Sequence, residues 1–466
     1  GQGTEEDPWQ IKNEEDWETI TTSRPYCNSG NLQGCIRLEG KIDFSQIKEE
    51  SRKIPLKLHD KTFDGNGYPI ENLTKPLFSV ANGTVKNLIL PDVEIDGNEN
   101  QGAIAQTVGD KATIENCYIS GSITATGSNN GAAGGLIGAA QNAQEAPLTI
   151  ENCVVNANIT SKGKFLAGGL IGSVSWNNAV TIKKCIAMGT VSNENGQGAG
   201  GLVGGPNRTV TINNSAALQE EVSTKKSKYF VDRIFGYDND KAYVNDGQNF
   251  AYQDMRVKCG EILLDKDNDK NYKDWPKSHR GERVSKTDLL TTDFWKNTIG
   301  WGSDTENWKF YDKQLPTLKM ERSNDNKEVE IFSGTDIPDY LEATETKTGS
   351  VKSGETGIAD AEITFKKGSS EKKATTGSDG TFSIDLANGE YDVTIKKTGY
   401  LTVKKKVTIS DSEALNFTME TNPVSMLSGQ TVTGTFQTTD ADTVTADGKI
   451  ALTYTGNEDL QAGDFK

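Results

Sequence analysis

Hydrophobic and polar positions repeat along residues 85–215 in five similar segments. Each segment begins with an apolar residue, called here the anchor. An apolar or small residue follows three positions later, usually directly after an Asn. The anchors are Val85, Ile114, Ile150, Ile182 and Ile212. Successive anchors lie 29, 36, 32 and 30 residues apart. Beyond each anchor the apolar positions alternate with period two, which is the spacing of a β-strand. The pattern therefore predicts a repeat architecture built from strands.

A glycine-rich marker recurs between the anchors. The sequence Gly-Gly-Leu-(Ile/Val)-Gly begins at Gly134, Gly168 and Gly200. Each repeat therefore holds two strands and two turns, and polar inserts of variable length lie between them. Because one repeat cannot bury its apolar face alone, equivalent strands are expected to stack into a continuous interior. The sequence thus predicts a parallel β-helix, with the right-handed crossover that is usual between parallel strands.

Cysteines fall into two groups. Cys117, Cys153 and Cys185 occupy the same position in successive repeats, so stacking would place them in one buried column of small side chains. A metal site made only of cysteines is the alternative, but the chain has no CxxC pair, and stacked sulfurs would lie in a line and not at the corners of a tetrahedron. Cys27 and Cys35 bracket a turn-forming loop, and we predict either a disulfide between them or two free thiols.

Composition narrows the class of protein. The chain has 466 residues, with 50 Lys and Arg against 66 Asp and Glu, which gives a net charge of −16. Without a basic block, this charge argues against nucleic acid or an anionic membrane surface as a partner. The 48 glycines and a hydrophobic content of 34% are typical of an all-β chain with many turns. No apolar run approaches the ~18 residues that a membrane-spanning helix needs.

The repeats resemble the GLUG repeat of bacterial surface proteins, in which the glycine-rich marker is followed by Ile-x-Asn-Cys and Gly-x-(Ile/Val). The flanks agree with this family, because residues 63–67 (Phe-Asp-Gly-Asn-Gly) look like its lead-in and the Trp-rich stretch 293–318 looks like its ending. The resemblance covers residues 8–320. It implies a secreted or surface-anchored protein. Many such proteins are adhesin-like, and the repeats also flank protease domains such as those of immunoglobulin A peptidases.

A second module follows a charged stretch at residues 321–346, which is predicted to be a linker. Short alternating strands then begin, separated by explicit turns such as Ser378-Asp379-Gly380. Residues 347–421 resemble the carboxypeptidase regulatory-like domain, a small prealbumin-like or Ig-like β-sandwich. The predicted organisation is an N-terminal cap (1–74), the repeats (75–220), the C-terminal part and cap of the β-helix (221–320), the linker (321–346), the sandwich (347–421) and an additional or partial β-module (422–466).

Catalytic chemistry is not indicated in the repeats. Their carboxylates, among them Glu115 and Glu151, are isolated in the sequence, so no pair of general acid and base is predicted. The histidines His59 and His279 are far apart and form no HExxH motif. Cys259 lies in no context typical of a cysteine nucleophile, and a structural thiol is favoured there.

One loop and one group of aromatic residues are candidate binding features. Asp265, Asp267 and Asp269 place carboxylates at alternate positions, as a calcium loop does. The loop lacks the Gly and Glu that an EF-hand has at positions six and twelve, so a solvated loop of mixed charge is the alternative. The tryptophans outside the repeats either cap the open ends of the β-helix, which would otherwise invite edge pairing, or form a platform for sugar rings.

These features favour a non-enzymatic secreted or cell-surface protein. We expect it to bind a host or microbial surface glycan or an extracellular matrix protein on its extended β-helix. No cofactor is expected other than calcium at the aspartate loop. The alternative is that the chain is an accessory or spacer region of a larger secreted protease or glycan-degrading enzyme.

Overall fold

The computed structural model describes residues 1–127, 131–142, 147–176, 179–195, 198–205, 210–225, 230–236, 243–245, 248–264, 280–368, 370–410, 414–421, 431–437 and 447–453. The chain is 51% strand and 8% helix. It folds into two units, Gly1–Glu342 and Ala343–Lys466.

The first unit is a parallel β-helix of about six turns. Its longest sheet, called here the first sheet, has parallel strands in the order Trp9–Ile11, Ile36–Leu38, Leu56–Asp64, Phe78–Lys86, Ala112–Glu115, Leu148–Glu151, Val180–Lys183, Val210–Asn213 and Tyr243–Asn245. A branch of the same sheet contains Ala105–Val108, Ile137–Asn142 and Ile171–Trp176. The anchors stack in register, since Ile114 pairs with Ile150, and Ile150 with Ile182. The predicted fold class is confirmed.

Two further sheets close each turn of the β-helix. The second sheet contains Ile89–Gly97, Tyr118–Ala125, Val154–Ser161, Ile186–Asn193, Ala216–Ala217, Glu221–Thr224, Phe250–Tyr252, Arg256–Cys259, Ile262–Leu263 and Glu282–Val284. The third contains Ala133–Gly134, Ala167–Gly168, Ala199–Gly200 and Val231–Asp232. Inward residues of the second sheet, such as Ile119, Ile123 and Ile159, are fully buried. The apolar positions that alternate in the sequence therefore form the core.

The glycine-rich marker is explained by close approach of successive turns. A Cβ added at Gly169 would lie 2.0 Å from the carbonyl oxygen of Gly201, and one added at Gly135 would lie 2.3 Å from that of Gly169. No side chain fits in either space, so the backbones of neighbouring turns can pack together there only because these residues are glycine.

The N-terminal end of the β-helix is covered by a short helix, Glu14–Thr22. The Asn13 side chain accepts a hydrogen bond from the backbone N–H of Asp16 and so begins the helix. Trp17 is fully buried and packs edge-on against Phe44 and Phe63. Smaller elements nearby are the hairpin Cys27–Asn28 and Asn31–Leu32, the paired strands Ile42–Asp43 and Ile70–Glu71, the 3-10 turn Phe44–Gln46 and the helix Glu49–Arg52.

Residues 286–342 leave the β-helix and form a separate layer on its side, which we call the strap. Its elements are the helix Lys286–Leu289, the π-helical turn Phe294–Thr298, the antiparallel strands Trp308–Lys309, Thr317–Glu321 and Glu328–Phe332, and the 3-10 turn Asp339–Leu341. The predicted linker at 321–346 is thus largely structured, because Leu341 is buried and the first unit extends to Glu342.

The second unit contains a β-sandwich with a single apolar core. One sheet is made of Glu345–Ser353, Thr356–Gly357, Thr381–Leu386 and Leu415–Thr418, and the other of Glu362–Lys367, Ser370–Thr375, Gly389–Lys396 and Val403–Ile409. Phe365, Val393 and Ile395 are among the residues buried between them. The strands Thr431–Gln437 and Asp447–Thr453 form a separate antiparallel hairpin.

Candidate functional site

A column of turn residues runs along one edge of the β-helix and is called here the corner column. Its members all adopt left-handed backbone conformations, with φ between 47° and 55°; they are Asn87, Asn116, Asn152, Lys184 and Asn214. Asn tolerates this conformation better than other residues with a Cβ, because its short polar side chain bonds locally. The corner therefore explains why Asn usually precedes the small residue of each repeat.

The strap binds the corner column through side chains. The indole Nε1 of Trp308 donates a hydrogen bond to Asn152 Oδ1 at 3.0 Å. Asp304 Oδ2 lies 2.5 Å from Lys184 Nζ, and both side chains of this ion pair are mostly shielded from solvent. Lys184 is the one member of the corner column that is not Asn, and its ammonium group is paired with the strap.

The tip of the strap reaches the Phe-Asp-Gly-Asn-Gly turn. Arg322 stacks on the ring of Tyr68 at 3.9 Å and donates from Nη2 to the carbonyl oxygen of Gly67 at 3.1 Å. The backbone N–H of Ser323 donates to Asn66 Oδ1 at 3.0 Å. The lead-in motif thus receives the strap, which is a role that its sequence alone does not indicate.

The returning part of the strap, residues 328–341, covers half of the outer face of the second sheet. Phe332 packs on Tyr118 with ring centroids 5.2 Å apart. The Tyr340 hydroxyl accepts from the N–H of Gly189 at 3.0 Å and donates to the carbonyl oxygen of Leu218 at 2.8 Å. Burial raises the pKa of Tyr340. The covered half of the sheet is mainly apolar and includes outward residues such as Val154, which is fully buried, while its polar Asn156 donates from Nδ2 to the carbonyl oxygen of Asp336 at 3.4 Å.

The other half of this face remains open, and we call it the polar strip. Two columns of outward side chains form it in register: Ser122, Asn158 and Thr190 in one, and Thr124, Thr160 and Ser192 in the other. The Thr190 hydroxyl donates to Asn158 Oδ1 at 2.9 Å, and the Ser192 hydroxyl donates to Thr160 Oγ1 at 3.1 Å.

Charged residues lie at both ends of the polar strip. Glu94 and Asp96 pair with its first strand. At the other end Lys258 lies 2.6 Å from Glu221, and Arg256 also contacts that carboxylate. The strip itself is uncharged and presents hydroxyl and amide groups about 4.8 Å apart. Such a surface can exchange hydrogen bonds with a neutral polar polymer, whereas it offers no group suited to bond cleavage.

The strap tryptophans do not form the platform for sugar rings that the sequence allowed. Trp295, Trp301 and Trp308 are 1%, 0% and 1% exposed, so their faces are unavailable to a ligand. They also do not plug an end of the β-helix, because they pack in series along its side, with ring centroids 4.9 and 4.5 Å apart. The indole groups of Trp301 and Trp308 instead bond to Asn214 and Asn152 of the corner column, and that of Trp295 donates to Leu289 O within the strap.

The cysteines of the repeats form the predicted column. Cys117, Cys153 and Cys185 are fully buried, and burial between the other two thiols raises the pKa of Cys153 well above its usual value. Cys27 and Cys35 are free and buried in the structure. The structure has no disulfide between them, and the disulfide stays a prediction.

Two carboxylates that are separated in sequence lie side by side in the fold. Glu115 and Glu151 are register partners on adjacent strands, and they are flanked in the same column by Lys86 and Lys183. The expectation that these carboxylates are isolated is therefore wrong. Within the described ranges, no group of three or more His, Cys, Asp and Glu side chains is arranged to hold a metal. Asp265, Asp267 and Asp269 lie outside the described residues.

These observations define the class of molecule: a β-solenoid scaffold with a lateral strap, followed in the chain by a β-sandwich module. In the part of the chain that the structure describes, no helix is long and apolar enough to cross a bilayer.

Two family models match parts of the chain. The carboxypeptidase regulatory-like domain matches residues 348–420, which form the β-sandwich, and confirms that resemblance. The M26 IgA1-specific metallo-endopeptidase N-terminal region matches residues 52–121, which form the first turns of the β-helix. Neither model is the GLUG repeat, and that resemblance stays a prediction.

Two individual proteins that resemble this chain are also described as immunoglobulin A1 proteases. An immunoglobulin A1 protease from Streptococcus sanguinis is 30% identical over 159 residues, which are 33% of this chain and 8% of that protein. A crystal structure of a candidate immunoglobulin A1 protease from Bacteroides ovatus aligns with a TM-score of 0.51 and 22% identity, over 72% of this chain and 95% of that one. The likeness to the Bacteroides ovatus structure shows a shared fold. The alignment with the Streptococcus sanguinis protease spans only a small fraction of that protein.

Proposed function

We propose that this chain is a non-catalytic accessory region of a larger secreted protease, and that it engages the protein substrate beside the catalytic domain. The observation that carries the proposal is the match of residues 52–121 to the N-terminal region of M26 metallo-endopeptidases. Those residues build the first turns of the β-helix, so the related part of the molecule is the scaffold. A secreted or surface location follows from the same relationship.

The geometry supports a role in binding. The polar strip presents uncharged donors and acceptors on a rigid sheet, while the strap covers the apolar half of that sheet. Asn158 is exposed, and Thr190 is partly exposed beside it. These side chains are held in register by strand pairing, so the strip needs little ordering when a ligand binds.

The test uses the purified 466-residue chain and immunoglobulin A1 (IgA1), after which the Streptococcus sanguinis relative is named. Biolayer interferometry measures binding, with IgG as the control, and gel electrophoresis measures cleavage. We expect binding to IgA1 without cleavage. The double variant Asn158→Lys/Thr190→Lys should lose the binding. The matched control Thr149→Lys, on the outer face of the first sheet, should keep it.

The outcomes separate the parts of the proposal. Cleavage of IgA1 by the chain alone would overturn the non-catalytic role. Absence of binding would overturn the role in substrate engagement, and equal losses in the strip and control variants would remove the polar strip from the proposal.

A second candidate function is adhesion to a glycan or an extracellular matrix protein. The uncharged polar strip favours it, because hydroxyl and amide groups are suited to neutral sugars. A glycan and matrix-protein array, probed with and without calcium, tests this candidate. Binding to one ligand class that Asn158→Lys/Thr190→Lys abolishes would support adhesion, and loss of binding without calcium would implicate Asp265, Asp267 and Asp269. A negative array would leave the accessory role alone.

A further inference from the structure

Successive turns of a β-helix contact only their neighbours. The stability of such an array is a sum of terms from single turns and adjacent pairs, so its ends can unfold while its centre stays folded. In this protein the first sheet follows that rule, because each of its strands from Ala112–Glu115 to Val210–Asn213 pairs with the preceding and the following turn.

The strap breaks the rule by contacting turns that do not touch one another. Near the C-terminal end of the β-helix, Phe294 packs edge-on against Phe250 with centroids 4.9 Å apart. One turn further along, the indole Nε1 of Trp301 donates to the backbone oxygen of Asn214 at 2.8 Å.

The same segment continues past the middle of the β-helix to its first turns. The Asp304 carboxylate pairs with Lys184, and Trp308 bonds to Asn152. At the tip, Ser323 bonds to Asn66. Residues 294–323 of the strap thus form one continuous segment of 30 residues, which extends from the turn that contains Phe250 to the turn that contains Asn66.

Between its two ends the strap is held together by a series of packed tryptophan rings. Trp301 lies between Trp295 and Trp308, and all of these rings are almost fully buried. Buried tryptophan is among the most costly side chains to truncate. Because Trp301 and Trp308 pack on one another and bond to different turns, we expect that the strap cannot leave one of these turns without disturbing its contact with the other.

We propose that the strap is a tie that couples distant turns, so that the β-helix unfolds as one cooperative unit and does not fray from its ends. This inference is independent of any ligand. It concerns how the scaffold withstands unfolding, and it stands or falls separately from the proposed accessory function.

The test is pulsed hydrogen exchange with mass spectrometry on the full chain across a guanidinium series. Two reporter strands lie near opposite ends of the β-helix, Leu56–Asp64 and Val210–Asn213. In the unmodified chain both should lose protection at the same denaturant concentration. In Trp301→Ala/Trp308→Ala they should lose it at different concentrations. Their exchange rates should then differ by at least about 100-fold, since truncation of even one buried tryptophan changes a folding equilibrium by more than that factor.

The matched control is Ile150→Ala, which removes a fully buried side chain from the interior without touching the strap. It should lower the common midpoint while the two reporters stay together. If the double tryptophan variant does not fold, Trp308→Phe/Asp304→Asn keeps the shape of the strap and removes its hydrogen bond to Asn152 and its ion pair with Lys184. Separate transitions in the unmodified chain, or reporters that stay together in every strap variant, would overturn the proposal.

Discussion

Gly169 provides the sharpest test of the packing between turns. It is the second glycine of a Gly-Gly-Leu-Ile-Gly marker and lies against the next turn. Its φ is not in the left-handed region, so conformational freedom is not the reason for glycine here. The substitution Gly169→Ala therefore tests close approach by itself.

The cost can be worked from the distances. A Cβ at residue 169 would lie 2.0 Å from Gly201 O and 2.9 Å from Ala187 Cβ, whereas real Cβ atoms essentially never come within 3.0 Å of another atom. The two turns must therefore separate by at least about 1 Å, which strains the bond of 3.2 Å from Gly169 N to Gly200 O. Overpacking costs about 1–3 kcal/mol and a weakened hydrogen bond about 1 kcal/mol. We expect the free energy of unfolding to fall by about 2–4 kcal/mol.

Guanidinium unfolding followed by far-UV circular dichroism measures this change. The matched control is Gly109→Ala, because a Cβ there meets its nearest atom, Gln141 O, at 3.4 Å and the backbone φ is ordinary. The control should stay within about 0.5 kcal/mol of the unmodified chain. If Gly169→Ala is as mild as Gly109→Ala, the explanation of the marker by close approach is wrong.

Further predictions concern a buried hydroxyl, a buried phenol and the thiols. Thr376→Val removes bonds to Ile358 O (2.6 Å) and Ala361 N (2.8 Å), and should lower the stability of the second unit by about 1–3 kcal/mol in the same unfolding assay. Burial raises the pKa of Tyr252 to about 12. The folded state therefore favours the neutral phenol, and its contribution is complete below pH 10 and lost as pH rises towards 12; Tyr252→Phe should reduce this alkaline loss in pH titration. Cys259 alone is only partly buried, so Ellman's reagent should modify one thiol in the native chain and none in Cys259→Ser.

Each of these predictions would be contradicted by a specific result. Loss of stability in both units after Thr376→Val would show that the units do not unfold independently. An unchanged alkaline midpoint in Tyr252→Phe would remove that phenol as the cause. Several reactive thiols in the native chain would show that the buried cysteines are accessible. If Cys27 and Cys35 form the predicted disulfide, the oxidised and denatured chain should show four free thiols in place of six, and Cys27→Ser should keep all five of its thiols.

The sequence predicts the β-helix well because its signals are local. The anchors Ile114, Ile150 and Ile182 lie in neighbouring turns, so a repeated pattern is enough to predict their stacking. The Asn of each repeat also carries local information, since a left-handed turn selects it whatever lies opposite. Turns such as Ser378-Asp379-Gly380 likewise predict the short strands of the second module, and the resemblance to the carboxypeptidase regulatory-like domain implies that these strands form a sandwich.

The strap could not be predicted because its contacts have no period. Trp308 bonds to Asn152 across 156 positions, and Arg322 bonds to Gly67 across 255. Nothing in either pair of residue types marks the partner. The pairing of Glu115 with Glu151 could have been predicted, because each directly follows an anchor and the two anchors stack. A charged residue in place of Asn at Lys184 was the available signal of a partner at the corner column.

The length of chain between the strap tip and its binding turn sets a delay during biosynthesis. Arg322 is made 255 residues after Gly67, which at about 5–20 residues per second amounts to roughly 10–50 s. From their own synthesis until residues 328–341 are made, the outward apolar residues around Tyr118 and Val154 have no cover from the strap. The nascent β-helix therefore exposes an apolar face before it is complete, and any chaperone that protects the chain during synthesis must shield that face until residues 328–341 are made.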